Sequence, residues 1–126
     1  MIQLILHLIG DYVTQSDWMA QNKTKRSWPA LCHATLYAAP FAFIASPVAL
    51  LVIWSTHFFI DRFRLARYVA YSKNILLAPP GTWQNWSDCI ATGYHKDAPP
   101  WLAVWLMIIC DNTMHLAINY LAIKYL

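Results

Sequence analysis

Three His/Asp pairs, each four residues apart in apolar surroundings, constrain this chain more than any other feature: His7 with Asp11, His57 with Asp61, and Asp111 with His115. Four residues is the spacing that stacks two side chains on one helix face. Chance placement of five His and six Asp in 126 residues gives about 0.5 pairs at that helical spacing. Ionisable groups inside apolar helices are costly, point inward and mark function, so the pairs define a candidate site and demand helices to carry it.

Composition agrees with the cost argument. Hydrophobic residues make up 59% and charged residues 12%, against roughly 45–50% and about 25% in soluble domains. The predicted class is all-α: a polytopic membrane four-helix bundle forming one transmembrane domain over residues 1–126. Four segments are expected to span, at about 1–21, 27–45, 46–71 and 99–126, each near the roughly 20 residues that a bilayer helix requires. The second opens on Ser27-Trp28-Pro29, a cap-and-proline start, and Pro40 is expected to kink it. No signal-peptide cleavage pattern interrupts the first segment, so it is read as retained.

Lys23, Lys25 and Arg26 fall between the first two segments, and Arg62, Arg64, Arg67, Lys73 and Lys96 between the last two; only Lys124 falls on the other side. The positive-inside rule then puts both termini outside and the 72–98 loop in the cytoplasm of a multi-pass inner-membrane protein. In that topology the inward helices carry His before Asp and the outward helix carries Asp before His. Every pair thus sets Asp toward the cytoplasm and His about 6 Å further out, at 1.5 Å per residue, and the pairs can share one layered site. His33, on the second helix, would close its cytoplasmic side. A lone buried His is equally often a hydrogen-bonded structural residue.

Imidazole and carboxylate together suit divalent transition metals, zinc ahead of manganese or iron, whereas magnesium favours oxygen alone. Three buried carboxylates are balanced better by two ions than by one, because unbalanced buried charge is expensive. The expected ligand set is His7, Asp11, His33, His57, Asp61, Asp111 and His115. A metal-free set of His–Asp hydrogen bonds stapling the bundle and a proton or ion pathway are the competing readings of the same residues.

Other residues carry less. Asp17 is the leading spare acid for general-base work, although a solvated helix cap is its commoner role. Gln15 continues the His7–Asp11 face and fits either a donor that holds Asp11 or an interfacial polar residue. Asn112 and Thr113 are lesser supporting candidates. The basic residues suit either anionic head groups or plain topology signals; Lys23 is favoured for a substrate role because it adjoins the first motif. Trp83, Trp86 and Tyr94 read as interfacial anchors, in a loop that fits either a lid or a surface segment. His95, beside Lys96 and Asp97 in that loop, is left out of the metal set. Cys32, Cys89 and Cys110 make no C-x-x-C motif and read as packing residues. No nucleic-acid module is present, so nucleic acid is excluded as a partner; the bundle is compatible with a homo-oligomer.

The run His7-Leu8-Ile9-Gly10-Asp11-Tyr12-Val13-Thr14-Gln15-Ser16-Asp17-Trp18-Met19-Ala20, followed by Asn22-Lys23, with a lone His in the second helix and Thr56-His57 before Asp61, resembles a family of small bacterial and phage inner-membrane proteins classed as a domain of unknown function. More distantly it is similar to the LexA-regulated membrane-bound metal-dependent hydrolases, from which only His7, Asp11, His57 and Asp61 carry over. This chain lacks Glu and reverses the order at Asp111 and His115. The family resemblance implies no activity; the residues and the more distant resemblance together lead to the expectation of a membrane metal-dependent hydrolase acting on a lipid or lipid-linked (phospho)ester from the cytoplasmic leaflet, with Asp17, Gln15 and Lys23, chosen on their positions, as catalytic candidates around the ions. The alternative is a non-catalytic membrane protein, phage-encoded or otherwise, that binds a host membrane partner around a structural metal site; a proton or ion pathway is third.

Overall fold

The computed structural model describes residues 1–126 and is all-helical, without strands. Seven helices follow in order: α1 (Ile2–Leu8), α2 (Asp17–Asn22), α3 (Ser27–Ala38), α4 (Pro47–Phe63), α5 (Ala66–Leu76), α6 (Trp86–Cys89) and α7 (Pro100–Tyr125). The chain divides into two compact units. The first comprises Met1–Phe63 and Met114–Leu126, the second Arg64–Thr113.

In the first unit the expected helix over 1–21 is two helices. After α1 the chain widens into a π turn over Ile9–Val13, closed by the Thr14 amide on the Ile9 carbonyl at 2.9 Å. Helical pairing then lapses until Ser16 caps α2, its Oγ accepting from the Met19 amide at 3.3 Å. Such turns insert one residue into the helical ladder and occur often at functional sites; this one carries Asp11. Gly10 lies in it for a steric reason. A Cβ there would lie 2.6 Å from Tyr37 Cδ2 and 3.1 Å from Tyr37 Cα, so only glycine lets this turn press against the backbone of α3.

Pro40 does more than kink the helix expected over 27–45: α3 stops at Ala38 and a 3-10 turn over Ala39–Phe43 takes over. Without an N–H, Pro40 cannot continue the ladder. Ser46 starts α4, its Oγ accepting from the Ala49 amide at 3.1 Å, with Pro47 at the first helical position. Small residues on the facing sides, Ala30, Ala34 and Ala38 of α3 and Ala49 of α4, are buried and allow close packing. Tyr37, Phe41, Ala49, Ile53 and Ala122 form the apolar core at one end of this unit.

The expected helix over 46–71 breaks at Arg64, whose φ of 53° lies in the left-handed region that few non-glycine residues adopt. Within the second unit, the Arg64 guanidinium donates to the Ala91 carbonyl at 2.7 Å and Arg67 to the Ile90 carbonyl at 3.0 Å. These bonds replace helix continuation as the local constraint. Helix α5 then runs to Leu76, so the 72–98 connection is partly helical at both α5 and α6. Gly93 (φ 81°) packs against the Arg67 carbonyl, where a Cβ would clash.

The four-span expectation is met at one helix. Only α7, of 26 residues, is long and apolar enough to cross a membrane by length and composition. Segment one is divided by its break and α4 has 17 residues, about 26 Å at 1.5 Å per residue.

Gly10→Ala tests the close approach of the π turn to α3. The added methyl must displace the Tyr37 ring, an overpacking that costs about 1–3 kcal/mol, so thermal unfolding of purified protein should shift clearly downward. An unchanged transition would mean that the two are not held at this distance.

Candidate metal centre

Four side-chain atoms from three parts of the first unit point at one another: Asp11 Oδ1 from the π turn, His33 Nε2 from α3, and His57 Nε2 and Asp61 Oδ2 from α4. All four residues are buried, and these atoms lie within 4.8 Å of one another. His33 Nε2 is 3.2 Å from Asp11 Oδ1, 3.2 Å from Asp61 Oδ2 and 3.0 Å from His57 Nε2. His57 Nε2 is 3.4 Å from Asp11 Oδ1 and 3.3 Å from Asp61 Oδ2.

Hydrogen bonding alone cannot satisfy this arrangement. An imidazole nitrogen carries either one proton or one lone pair, yet His33 Nε2 faces two carboxylate oxygens, a second imidazole nitrogen and an ammonium. A cation at the centre satisfies every donor at once. A tetrahedral ion with bonds of about 2.0–2.1 Å sets its ligands about 3.3–3.4 Å apart, close to the five separations above. The buried Asp/His cluster is therefore built to the dimensions of a metal site.

The surrounding residues explain why the lone pairs face inward. His115 Nε2 lies 3.3 Å from Asp61 Oδ1, and His115 Nδ1 lies 3.3 Å from His57 Nδ1. An ionised Asp61 only accepts, so His115 Nε2 carries the proton and its Nδ1 the lone pair. His57 Nδ1 must then donate, which leaves the His57 Nε2 lone pair aimed at the centre. Such outer hydrogen bonds fix a ligand's tautomer and orientation. Tyr37 holds the same ring from its face, stacked at 3.5 Å between centroids and 11° between planes.

His7 acts on the other oxygen of Asp11. Its Nδ1 is 3.4 Å from Asp11 Oδ2 and 2.8 Å from Tyr37 Oη, which in turn accepts from Asn119 Nδ2 at 2.7 Å. His33 is supported differently, since its Nδ1 is buried without a hydrogen-bond partner; packing within α3 and α4 orients that ring.

Asp11, His33, His57 and Asp61 of the expected ligands make up this group, and His7 and His115 stand behind it. Asp111 is half-buried one turn before His115 on α7 and belongs to the second unit. Lys23 does reach the cluster: its Nζ is 2.7 Å from Asp61 Oδ2 and 3.2 Å from His33 Nε2. Asp17 does not. It is exposed in the first turn of α2, and Gln21 Nε2 donates to both its oxygens at 2.9 and 2.8 Å. Gln15 lies in the break before α2 with Oε1 buried and unpaired, and no hydrogen bond joins it to Asp11. Gln15 is expected on the His7–Asp11 face of an unbroken helix, and the π turn and break remove that face; Asp17, offset from that face, takes its commoner role as an exposed helix-end residue. Thr113 bonds back to the Ile109 carbonyl, His95 pairs locally with Asp97 at 3.3 Å, and the three cysteines are free thiols.

Sequence reading passed over Tyr37 and Asn119. The signal was present, because Tyr37 follows His33 by four residues and Asn119 follows His115 by four, the same spacing that marked the pairs.

The family described as "Protein of unknown function (DUF3307)" matches residues 1–78, and the chain belongs to it. That stretch contains Asp11, Lys23, His33, His57 and Asp61. No curated protein and no solved structure matches the chain.

Two measurements follow from this geometry. Elemental analysis of purified protein should find about one divalent transition ion per chain, falling sharply in Asp11→Ala, His33→Ala, His57→Ala and Asp61→Ala; folded wild-type protein that neither retains nor takes up metal would refute the centre. Tyr37→Phe, which removes the hydroxyl between His7 and Asn119, should lower stability by about 1–3 kcal/mol through unpaired buried groups. Denaturant titration reads that loss, and a neutral outcome would mean that the hydroxyl holds nothing.

Proposed function

We propose that this member of the DUF3307 family is a membrane-embedded, metal-dependent hydrolase that acts on a lipid or lipid-linked (phospho)ester from the cytoplasmic leaflet. The observation that carries the reading is the convergence of Asp11, His33, His57 and Asp61 at the spacing of a coordinated ion. Zinc suits two imidazoles and two carboxylates at these separations, ahead of manganese or iron. A bound ion of this kind polarises an ester or phosphoryl oxygen and makes water a competent nucleophile near neutral pH. Water then adds across the ester bond, giving an acid and an alcohol.

The protein's part is to keep the ion buried and to leave one way in. Asp11 and Asp61 supply charge, and His115 and Tyr37 fix the ring of His57. Four protein donors fill a tetrahedron, so turnover requires a fifth position of the kind catalytic zinc adopts when coordination expands. Lys23 is the charged side chain beside the donors and marks where that position opens.

A membrane setting is supported by α7 and by large apolar side chains left exposed in both units, among them Leu8, Val13, Phe43, Leu51, Phe59, Ile109 and Leu121. In this reading α7 crosses the inner membrane, the shorter helices lie within its apolar layer, and both termini face outward. The closed four-donor set equally favours a second reading, in which the ion is structural and the protein acts by binding a membrane partner.

Turnover separates the two. Metal-loaded wild-type protein is assayed against a panel of phospholipids and polyprenyl phosphates; the proposal expects hydrolysis that Asp61→Ala abolishes. Folded, metal-replete protein that hydrolyses none of them moves the assignment to the structural reading. Orientation has its own check. Single cysteines placed at Lys25 and Lys73 in a cysteine-free background should label from the cytoplasm, and one at Leu126 from outside; reversed accessibility would sink the cytoplasmic route.

A further inference from the structure

We infer that Lys23 forms an anion subsite at the mouth of the metal centre, built to take the singly charged phosphodiester of a membrane lipid head group. The inference rests on the metal-centre reading and narrows its substrate class.

Access is the first argument. The Lys23 side chain is 18% exposed, whereas those of Asp11, Asp61, His57 and His33 are 9%, 4%, 1% and 0% exposed. Lys23 is thus the most exposed side chain of the cluster, and an anion approaching from its side meets this ammonium first. Its position is fixed by the fold: Lys23 caps the end of α2, and the next residue's carbonyl, that of Thr24, accepts from Arg62 Nη1 of α4 at 2.9 Å.

Charge is the second. Lys23 sets a positive charge directly against the donors, its Nζ 2.7 Å from Asp61 Oδ2, and a divalent ion there would add to it. A phosphodiester brings negative charge to that ammonium.

Hydrogen-bond capacity is the third. An ammonium has three donors. In the structure two of them are directed at Asp61 Oδ2 and His33 Nε2, but an ion bound to His33 takes that nitrogen's lone pair. Metal loading thus releases one donor of Lys23 and repels the ammonium toward the mouth, where a phosphate oxygen is the natural acceptor.

The source of the phosphate follows from the neighbours. Trp18 on α2 and Trp28 on α3, either side of Lys23 in sequence, are exposed, as are Lys25 and Arg26. Indoles and basic side chains together mark the head-group level of a bilayer, which favours a lipid phosphodiester over free phosphate.

The test uses the full chain loaded with Mn²⁺ in nonionic detergent, and reads paramagnetic relaxation of ³¹P from three probes: phosphatidylglycerol in mixed micelles, soluble glycerophosphoglycerol, and inorganic phosphate. Wild type should relax the phosphatidylglycerol phosphorus strongly and the soluble diester more weakly. Lys23→Met should weaken binding roughly tenfold or more, as loss of a charge-assisted hydrogen bond predicts, while metal content stays unchanged and Lys23→Arg restores much of the effect. Equal relaxation by metal-replete wild type and Lys23→Met overturns the subsite and leaves the metal centre standing. Relaxation of inorganic phosphate alone overturns the phosphodiester assignment. Failure of the wild type to bind metal overturns the centre itself, and the subsite with it.

Discussion

Two carboxylates buried on the same two imidazoles are the constraint on which the rest of this structure depends. Asp11 Oδ1 and Asp61 Oδ2 each approach both His33 Nε2 and His57 Nε2. With only the Lys23 ammonium at its edge, that arrangement still sets lone pairs against lone pairs in a region nearly closed to water, and the penalty for buried charges left unpaired is several kcal/mol per ion. A divalent ion removes the conflict. The helices are consequently arranged around the centre, with the apolar core of the first unit lying at one end of it.

The backbone shows what that arrangement requires. Asp11 is delivered by a π turn, and the turn can press on α3 only because Gly10 has no side chain to meet Tyr37. Alanines line α3 and α4 where they approach. The bulk removed there returns in one place, as the Tyr37 ring stacked on His57 and hydrogen-bonded between His7 and Asn119. Tyr37 thereby joins packing to chemistry: the same side chain fills the gap left by Gly10 and orients a donor.

In the proposed hydrolase reading, Lys23 is the feature that a purely structural centre would not need. A metal that only stapled helices would be best served by four donors and an apolar surround. Here a cationic side chain, itself partly exposed, reaches the donors. It weakens the hold on a bare divalent ion by like-charge repulsion and strengthens the hold on any anion that arrives with it. That trade is unfavourable for a staple and useful for a site that must bind and release a charged ligand.

The sequence by itself determined the all-helical class, the apolar character, and the four converging donors as candidates: Asp11, His57 and Asp61 because a four-residue spacing specifies a shared helix face whatever the helix packs against, and His33 as the lone His on the helix between them. It also carried, unread, the same signal for Tyr37 and Asn119. Spacing along one helix says nothing about the rotation and axial offset between two helices, so only the tertiary structure decided which nitrogen of each imidazole faces the centre, that His7 and His115 stand behind the donors, and that Lys23 reaches Asp61 across 38 residues of chain. It also decided where helices fail. The break at Thr14–Ser16 and the left-handed Arg64 depend on contacts made within their own units, the press of Tyr37 on Gly10 and the bonds of Arg64 and Arg67 to the carbonyls of Ala91 and Ile90. A periodic pattern carries no mark of such contacts, and so Gln15, placed by extending the His7–Asp11 face along an unbroken helix, makes no bond to Asp11, while Asp17 takes the exposed helix-end place that its offset from Asp11 allows.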